Sequence, residues 1–167
     1  RKHNFANREQ NRDGDSHNNS WNHGREGPTT SLLINDLRKR QQKNLILSLF
    51  VSRGVPMILM GDEIGRSQGG NNNTWCQNNL LSRMNWDHAQ QDVELLEYFK
   101  YVIKIRKKLI NIFNPSFLTN NASHENMPKY HWHGTQLNSP DWSSWSHTVA
   151  FSINKGKTNP LVWIGLN

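Results

Sequence analysis

The sequence is poor in cysteine and in long apolar runs, and each shortage excludes a class of protein. Cys76 is the single cysteine among 167 residues, which excludes an internal disulfide and a multi-cysteine zinc site. The longest apolar stretches, 45–51 and 55–60, fall far short of the roughly 20 consecutive apolar residues that a membrane helix needs. We therefore expect a soluble protein with no membrane partner, in the cytoplasm or, in a plastid-bearing organism, the plastid stroma.

Hydrophobic residues are also scarce. They make up 34% of the chain, and the mean hydropathy is -0.83, so the core must be thin for a chain of this length. The chain starts at Arg1 rather than at an initiator methionine, and no signal peptide is recognisable at this end. We therefore expect the chain to be a piece of a longer protein.

Positive charge is in excess, with 20 Lys and Arg against 13 Asp and Glu. A net charge of +7 would suit a nucleic-acid-binding protein. The basic residues are nevertheless spread along the chain, with only two short clusters, 38–40 and 106–108, at positions that helical periodicity places on a solvated face. The charge pattern thus favours no nucleic-acid partner, and a phosphate-binding stripe is the weaker alternative.

The eight histidines do not form a metal-binding pattern. His131 and His133 would share one face of a strand, but no cysteine or carboxylate cluster accompanies them. We expect no metal and no cofactor. Four tryptophans of the last third are expected in the core and interface of a β domain rather than on a glycan-binding surface: Trp132, Trp142, Trp145 and Trp163.

Hydrophobic periodicity predicts the secondary structure. Apolar residues on one stripe predict helices over 30–53 and 87–109, each following a long polar loop or a capping residue. The apolar run 55–60 lies between two glycines and is short, which favours a fully buried strand of a parallel sheet. After the second helix, alternating patterns predict three short strands within 129–134, 147–154 and 161–167.

The order of these elements indicates an α/β fold. Long loop, helix, buried strand, long loop and helix would give the last part of a (β/α)8 TIM barrel over 1–112. The strands that follow would begin an all-β C-terminal sandwich domain over 113–167, incomplete in this chain. A flavodoxin-like sheet uses the same units, and spacing alone does not distinguish the two.

Three motifs stand out along the chain. The first is NRDG at 11–14, followed by NSWN at 19–22 and the glycine-flanked segment 24–27; the second is GVPMILMGDE at 54–63; the third is GNNNTWCQNN at 70–79. Together they resemble motifs of isoamylase-type glycogen-debranching enzymes in the α-amylase superfamily. In that family the second motif is similar to the eighth barrel strand with its GDE ending, and the third, the most specific, to the loop after that strand.

The resemblance continues towards the end of the chain. YHWHG at 130–134 and DW at 141–142 resemble the start of the family's C-terminal β-sandwich. The order and spacing of all these motifs also match. The sequence departs from the pattern at His23, where the family usually has cysteine, and at Phe5 and Arg8, which interrupt the stretch before NRDG. These departures affect details of the first loop.

The resemblance implies an activity. Enzymes of this kind hydrolyse α-1,6 branch linkages of glycogen, amylopectin and limit dextrin with retention. Retention requires two carboxyl groups about 5 to 5.5 Å apart, one as nucleophile and one as acid/base. By the resemblance, these groups and a third aspartate lie upstream of Arg1, so no catalytic residue is assigned to this chain, which is expected to be inactive alone. The alternative is a non-catalytic α-glucan-binding module.

The loop after the 55–60 segment supplies the first candidate substrate-binding residues. Asn71, Asn72 and Asn73 can each donate and accept hydrogen bonds, as paired sugar hydroxyls require. Trp75 offers a flat apolar face to a pyranose ring. Because asparagine readily bonds to nearby backbone in turns, the alternative for these residues is loop scaffolding.

Asp62 and Glu63 are candidates of a second kind. Adjacent residues of a strand point to opposite faces, so the two cannot form one catalytic pair. We expect them to position loops at the substrate site, and the alternatives are direct sugar contact by one of them or mere bonding to backbone N–H groups and a nearby arginine. Asn19, Trp21 and Asn22, in the first loop, are further candidates for glucan contact.

Overall fold

The structure is a computed structural model that describes residues 1–87, 93–110, 129–154 and 162–167. Within these ranges it contains two helices, three strands and three single-turn 3₁₀ helices. The helices are α1, Leu32–Val51, and α2, Val93–Leu109; the strands are β1, Lys129–His133, β2, Val149–Asn154, and β3, Val162–Leu166; the 3₁₀ turns are Phe5–Asn7, Asp62–Ile64 and Thr74–Cys76. No helix in the described ranges has both the length and the apolarity to cross a membrane.

Both predicted helices and all three predicted strands are confirmed. The helices are slightly shorter than expected at their described ends, and residues 88–92, on which part of the second prediction falls, lie outside the described residues. The strands form an antiparallel sheet in the order β1-β2-β3. Trp132 pairs with Phe151, which in turn pairs with Ile164, so these three side chains share one face of the sheet.

The predicted strand over 55–60 is wrong in this structure. These residues form no strand, and Val55 and Met57 are 93% and 87% exposed. A strand exists only when neighbouring strands bond to its backbone, and within the described residues strands occur only between 129 and 166. The observed architecture is thus a small mixed α/β arrangement with an antiparallel sheet, and the barrel and the sandwich stay predictions.

The chain divides into two compact units. The first combines Arg1–Lys43 with Met57–Tyr101, and the second combines Asn44–Pro56 with Val102–Asn167. The division falls within both helices, because each helix contributes one part to each unit. The predicted domain boundary near 112 lies outside the described residues and stays a prediction.

The core of the second unit lies on one face of the sheet. Val51, Phe151, Ile153 and Ile164 form its buried cluster, and Leu109 is among the partly buried side chains packed against it. Alternation along β2 explains this arrangement, because Phe151 and Ile153 point to the same side of the strand. The core therefore consists of aliphatic side chains and one phenylalanine.

Arg106 stabilises the end of α1 within the second unit. Its guanidinium group donates hydrogen bonds to the backbone carbonyls of Phe50, Ser52 and Gly54. The last carbonyls of a helix have no partner inside the helix, so a cation placed there satisfies them. Burial lowers the pKa of Arg106 from its ordinary value.

The core placement expected for four tryptophans is wrong in this structure, and their placement at an interface of the β domain stays a prediction. Trp132, Trp142, Trp145 and Trp163 are between 43% and 76% exposed. Trp132 contacts Trp142 edge-on with ring centroids 5.4 Å apart, and Trp163 stacks on His133 at 4.5 Å. Trp132 lies on the same face of the sheet as Phe151, with its ring centroid 5.2 Å from that of Phe151.

Candidate functional site

Two of the recognised motifs meet in the first unit through asparagine side chains. We call the residues Asn4, Asn7, Asn71, Asn72 and Asn73 the asparagine cluster. The side-chain amide of Asn4 donates to the Asn72 Oδ1 atom at 2.8 Å, and its Oδ1 atom accepts the Asn72 backbone N–H at 3.1 Å. Asn4 has no exposed surface, whereas Asn72 is exposed, so the pair is shielded from water on the Asn4 side.

The second half of the asparagine cluster surrounds one carboxylate. The Oδ2 atom of Asp13 accepts hydrogen bonds from Asn7 at 2.7 Å and from Asn73 at 2.9 Å. The Asn71 amide donates to the Asn7 Oδ1 atom at 2.9 Å, and Asn7 donates to the Asn73 carbonyl at 2.7 Å. The aspartate of the NRDG motif is thus bonded directly to the asparagines of the third motif.

Lys2 holds the turn that carries Asp13. Its ammonium group donates to the backbone carbonyls of Asp13 at 2.8 Å and Arg12 at 3.2 Å, and to the Ser16 hydroxyl at 2.9 Å. The sequence reasoning missed Lys2, Asn4, Asn7 and Asp13 as members of this site. Their only sequence signal is the density of amide side chains near NRDG, which does not reveal their partners.

Hydrogen bonds from Asn7 and Asn73 lower the pKa of Asp13 from its ordinary value. These donors favour the charged carboxylate, which accepts more strongly than the protonated acid. The other oxygen, Oδ1, is shielded from solvent and has no hydrogen-bond partner within the described part of the chain. The site therefore holds an ionised aspartate at neutral pH.

Acid is expected to weaken the folded state through Asp13. The pKa of Asp13 is lower in the folded than in the unfolded chain, so the carboxylate stabilises the fold at pH values above the unfolded pKa of about 4. This stabilisation is lost as the pH falls through the pKa of the folded state. The substitution Asp13→Asn removes the titration, so the difference in unfolding free energy between parent and variant is expected to shrink from pH 7 to pH 3. Urea denaturation at both pH values measures it.

A matched control for this prediction is Asp36→Asn, which changes an exposed carboxylate of α1. Its effect on the unfolding free energy is expected to stay small at both pH values. An Asp13→Asn effect that is the same at pH 3 and pH 7 would show that the hydrogen-bonded carboxylate does not contribute as described.

The structure gives the three motif asparagines a role in holding loops together. Their amide groups bond to other parts of the same unit, and Asn72 also donates to the carbonyl of Asp15 at 2.8 Å. This matches the scaffolding alternative, and glucan contact by Asn71, Asn72 and Asn73 stays a prediction. Trp75, in the 3₁₀ turn Thr74–Cys76, is 95% exposed and presents its ring to solvent.

Asp62 and Glu63 lie in a 3₁₀ turn and bond to backbone groups. Asp62 accepts the N–H of Leu59 at 3.0 Å, and Glu63 accepts the N–H of Gly61 at 2.9 Å. Nearby Arg66 donates to the carbonyl of Ser82 at 2.6 Å. Both carboxylates thus order the turn, while positioning of a substrate loop and direct sugar contact remain predictions.

The remaining candidates lie on the first loop. Trp21 is 71% exposed, with its ring 4.6 Å from that of His23. The Asn22 side chain donates to the Glu26 carboxylate at 3.0 Å, and its carbonyl accepts from Arg38. Asn19 is exposed. Arg38 of α1 thereby fixes the backbone beside Trp21, and glucan contact by Asn19, Trp21 and Asn22 stays a prediction.

Three other carboxyl groups have a pKa below the ordinary value, whereas a general acid needs a raised pKa. Hydrogen bonds from His3 and Asn22 lower the pKa of Glu26, a bond from Lys43 lowers that of Glu94, and a bond from Ser143 lowers that of Asp141. A glycosidase general acid instead needs a raised pKa so that it is protonated near neutral pH. Like Asp13, these three groups do not fit that role.

A metal centre finds no support in the described ranges. No group of three or more His, Cys, Asp or Glu side chains with metal-binding geometry occurs among residues 1–87, 93–110, 129–154 and 162–167. His133 instead bonds to the Ser152 hydroxyl at 3.1 Å and accepts the backbone N–H of Asn138 at 2.9 Å. Both of its ring nitrogens are therefore used inside the second unit.

The sequence is similar to several known proteins, although no protein-family model matches it. It is 41% identical to the chloroplastic isoamylase 1 of Oryza sativa subsp. japonica over 167 residues, which cover 100% of this chain and 20% of that protein. It is 51% identical to a glycogen operon protein GlgX homolog of Mycobacterium bovis over 106 residues, 64% of this chain and 15% of that protein. It is 36% identical to a glycogen debranching enzyme of Erwinia tasmaniensis over 157 residues, 92% and 23% respectively. The chain thus spans about a fifth of the length of these relatives.

Proposed function

We propose that this chain, a homologue of isoamylases and glycogen debranching enzymes, is part of a glycosidase that cleaves α-1,6 branch linkages of glycogen or a related α-glucan with retention. The relatives' names support glycogen debranching, and the α-1,6 linkage and retention follow from the resemblance of the motifs. The observation that carries the proposal is the asparagine cluster, which binds two of the family motifs to each other. A segment built around contacts between these motifs fits a structural role in such an enzyme.

Catalysis is assigned to carboxyl groups outside this chain. Asp62 and Glu63 are occupied by backbone N–H groups, and the pKa of Asp13 and of Glu26 is lowered by hydrogen bonds. These environments suit charged, structural carboxylates rather than an acid that protonates a leaving oxygen. The chain alone is therefore proposed to be inactive and to supply the support around a substrate cleft.

Exposed aromatic rings on ordered loops are proposed to contact the glucan. Trp75 lies immediately after the asparagine cluster, and Trp21 lies on the loop that Arg38 fixes. A flat ring that is held in place before binding loses little conformational entropy when a sugar stacks on it. Asn19 and Asn22 flank Trp21 and are proposed to bond sugar hydroxyls.

The architecture and the compartment follow the same proposal. In the longer protein, 1–112 would form the end of a (β/α)8 barrel and 113–167 the beginning of a β-sandwich. Because the relatives from rice, maize and Arabidopsis are named as chloroplastic and others are bacterial, the plastid stroma and the cytoplasm are the proposed compartments. No cofactor is proposed.

A hybrid enzyme tests the proposed function. Residues 1–167 replace the matching segment of the rice isoamylase, and the release of reducing ends from amylopectin is compared between the hybrid and the chain alone. The hybrid is expected to release reducing ends, because the rice isoamylase would supply the catalytic carboxyl pair. The isolated 167-residue chain is expected to release none. Amylose, which lacks branches, serves as the control substrate, and NMR of the first anomer released reports retention.

Two results would contradict the proposal. Reducing ends released by the chain alone would place catalytic carboxylates within it. A hybrid that folds, as judged by circular dichroism, but cleaves no branch would show that this segment does not support debranching.

A non-catalytic α-glucan-binding module is the second candidate, favoured by the exposure of Trp21 and Trp75. Sedimentation with insoluble amylopectin distinguishes the two. A module would bind the polymer as an isolated chain, and the hybrid would then gain affinity but no activity from this segment.

A further inference from the structure

His23 of the first loop departs from the family pattern, and the proposed function gives it no role. Its imidazole ring contacts the Trp21 indole, with ring centroids 4.6 Å apart and planes tilted by 49°. The Nδ1 atom of His23 is shielded from solvent, whereas Trp21 is 71% exposed. The imidazole is thus partly covered by the loop, while the indole keeps most of its surface open to solvent.

The backbone at His23 adopts a conformation that few side chains favour. His23 has a φ of 57° and Gly24 a φ of 94°, so the chain turns through two consecutive left-handed residues. Glycine adopts this conformation freely, but a Cβ atom adds a steric cost there. Histidine and asparagine occur in it more often than most other residues with a side chain. Contacts from elsewhere are therefore needed to hold His23 in this turn.

Arg38 of α1 supplies such contacts. Its guanidinium group donates hydrogen bonds to the backbone carbonyls of Asn22 at 2.9 Å, Gly27 at 2.9 Å and Arg25 at 2.5 Å. These carbonyls lie before and after His23 in the chain, so one planar group fixes both ends of the turn. Only arginine has a rigid fork of donors that reaches several acceptors in this way.

A second set of contacts links the loop to the third motif. The Glu26 carboxylate accepts a hydrogen bond from the Asn22 side chain at 3.0 Å, and its other oxygen lies 3.1 Å from the His3 Nε2 atom. The backbone N–H of His3 in turn donates to the carbonyl of Gly70 at 2.8 Å. The segment 22–27 is therefore fixed on two sides before any ligand binds.

We propose that His23 is a positioning residue for glucan binding: it holds the Trp21 ring in one orientation for stacking on a sugar, and Arg38 holds His23 in its turn. This inference rests on the proposed function, because it requires Trp21 to contact the glucan. A ring that is already immobile avoids the entropy loss of ordering a side chain on binding, which corresponds to about fivefold in affinity.

The hybrid with the rice isoamylase tests the proposal through KM and kcat for amylopectin, with folding checked by circular dichroism. His23→Asn removes the ring but leaves a residue that tolerates the left-handed turn, and Arg38→Gln removes the guanidinium fork. Each is expected to raise KM about fivefold and to leave kcat unchanged, because binding shared by substrate and transition state affects KM alone. In a Trp21→Ala background, neither is expected to raise KM further, since both act through that ring.

The matched controls are His17→Asn, on the same loop, and Arg40→Gln, on α1. Both side chains are exposed and lie outside the segment 21–27. Both controls are expected to leave KM and kcat unchanged. The proposal would be overturned by a rise in KM that is equal in His17→Asn and His23→Asn, by one that persists in the Trp21→Ala background, or by a loss confined to kcat.

A second measurement separates this inference from the proposed function. The whole 167-residue chain is labelled with 5-fluorotryptophan, and Trp21→Phe assigns the fluorine NMR signal of Trp21. We expect His23→Asn and Arg38→Gln each to narrow this signal, because the ring gains motion, and His17→Asn to leave it unchanged. An unchanged signal in His23→Asn would overturn the positioning role even in an active hybrid. A narrowed signal beside an inactive parent hybrid would support that role and reject the proposed function.

Discussion

Replacing Asn4 with alanine is expected to lower the free energy of unfolding by about 2 kcal/mol, because three partly buried groups lose hydrogen bonds worth about 0.5 to 1 kcal/mol each. The groups are the Asn72 backbone N–H, the Asn72 Oδ1 atom and the Asp13 carbonyl. Alanine supplies neither a donor nor an acceptor, and the side chain that it replaces is fully buried while its partner groups are partly buried. Urea denaturation monitored by tryptophan fluorescence measures the change.

The control for this prediction is Asn18→Ala on the same loop. Asn18 is exposed, and its side chain accepts one local hydrogen bond from Ser20. Its loss is expected to change stability by no more than about 0.5 kcal/mol, as is usual for surface positions. Equal effects of the two substitutions would mean that burial of the asparagine cluster contributes nothing to stability.

Replacing Ile153 with alanine is expected to cost about 2 to 5 kcal/mol, the range observed when a large aliphatic side chain is removed from a packed core. Ile153 has no exposed surface and lies in the central strand, between β1 and β3. Its loss leaves a void beside Val51, Phe151 and Ile164, which are fixed by the sheet and the end of α1. Thermal and urea unfolding of the variant measure the effect.

Two further variants sharpen this test. Ile153→Val removes one methylene group and is expected to cost about 0.5 to 1.5 kcal/mol. Ile58→Ala changes a 42% exposed isoleucine in the segment that forms no strand, so it is expected to cost much less. A core role is contradicted if Ile153→Ala destabilises no more than Ile58→Ala.

The two predictions concern different parts of the molecule and different forces. The asparagine cluster belongs to the first unit and depends on hydrogen bonds between polar loops, whereas Ile153 belongs to the second unit and depends on apolar packing. In the proposed enzyme, loss of Asn4 would disturb the loops that carry Trp75 and thus impair glucan binding. Loss of Ile153 would act mainly through stability.

The helices and the antiparallel strands were predictable because their information is local. The apolar stripe of α2 and the alternation in β2 are readable along a few consecutive residues. The segment 55–60 has an equally strong local pattern and yet forms no strand, because pairing depends on neighbouring strands that a local pattern does not supply. Local sequence patterns therefore identified the helices, whose backbone hydrogen bonds lie within the element, and the strands that pair with strands close by in the chain.

The site was predictable in its residue types but not in its contacts. The motif 70–79 marked the asparagines, while their partners Asn4, Asn7 and Asp13 lie more than 55 residues away in the chain. Nothing in spacing reveals such a pairing, since a loop approaches another only when both are folded. The same limit applies to the core placement expected for the four tryptophans, because hydrophobicity indicates a tendency to be buried without indicating which neighbours cover a side chain.

By itself, the sequence determined the helices and the three strands, and it contains motifs that resemble those of debranching enzymes. It also lacks a multi-cysteine site and any apolar run long enough for a membrane helix. These properties depend on composition and on contacts between near neighbours. Only the tertiary structure decided that Asp13 is held by Asn7 and Asn73, that Asp62 and Glu63 bond to backbone N–H groups, and that the tryptophans stay exposed. Hydrogen-bond satisfaction and core volume are set by the folded chain as a whole, so no local pattern records them.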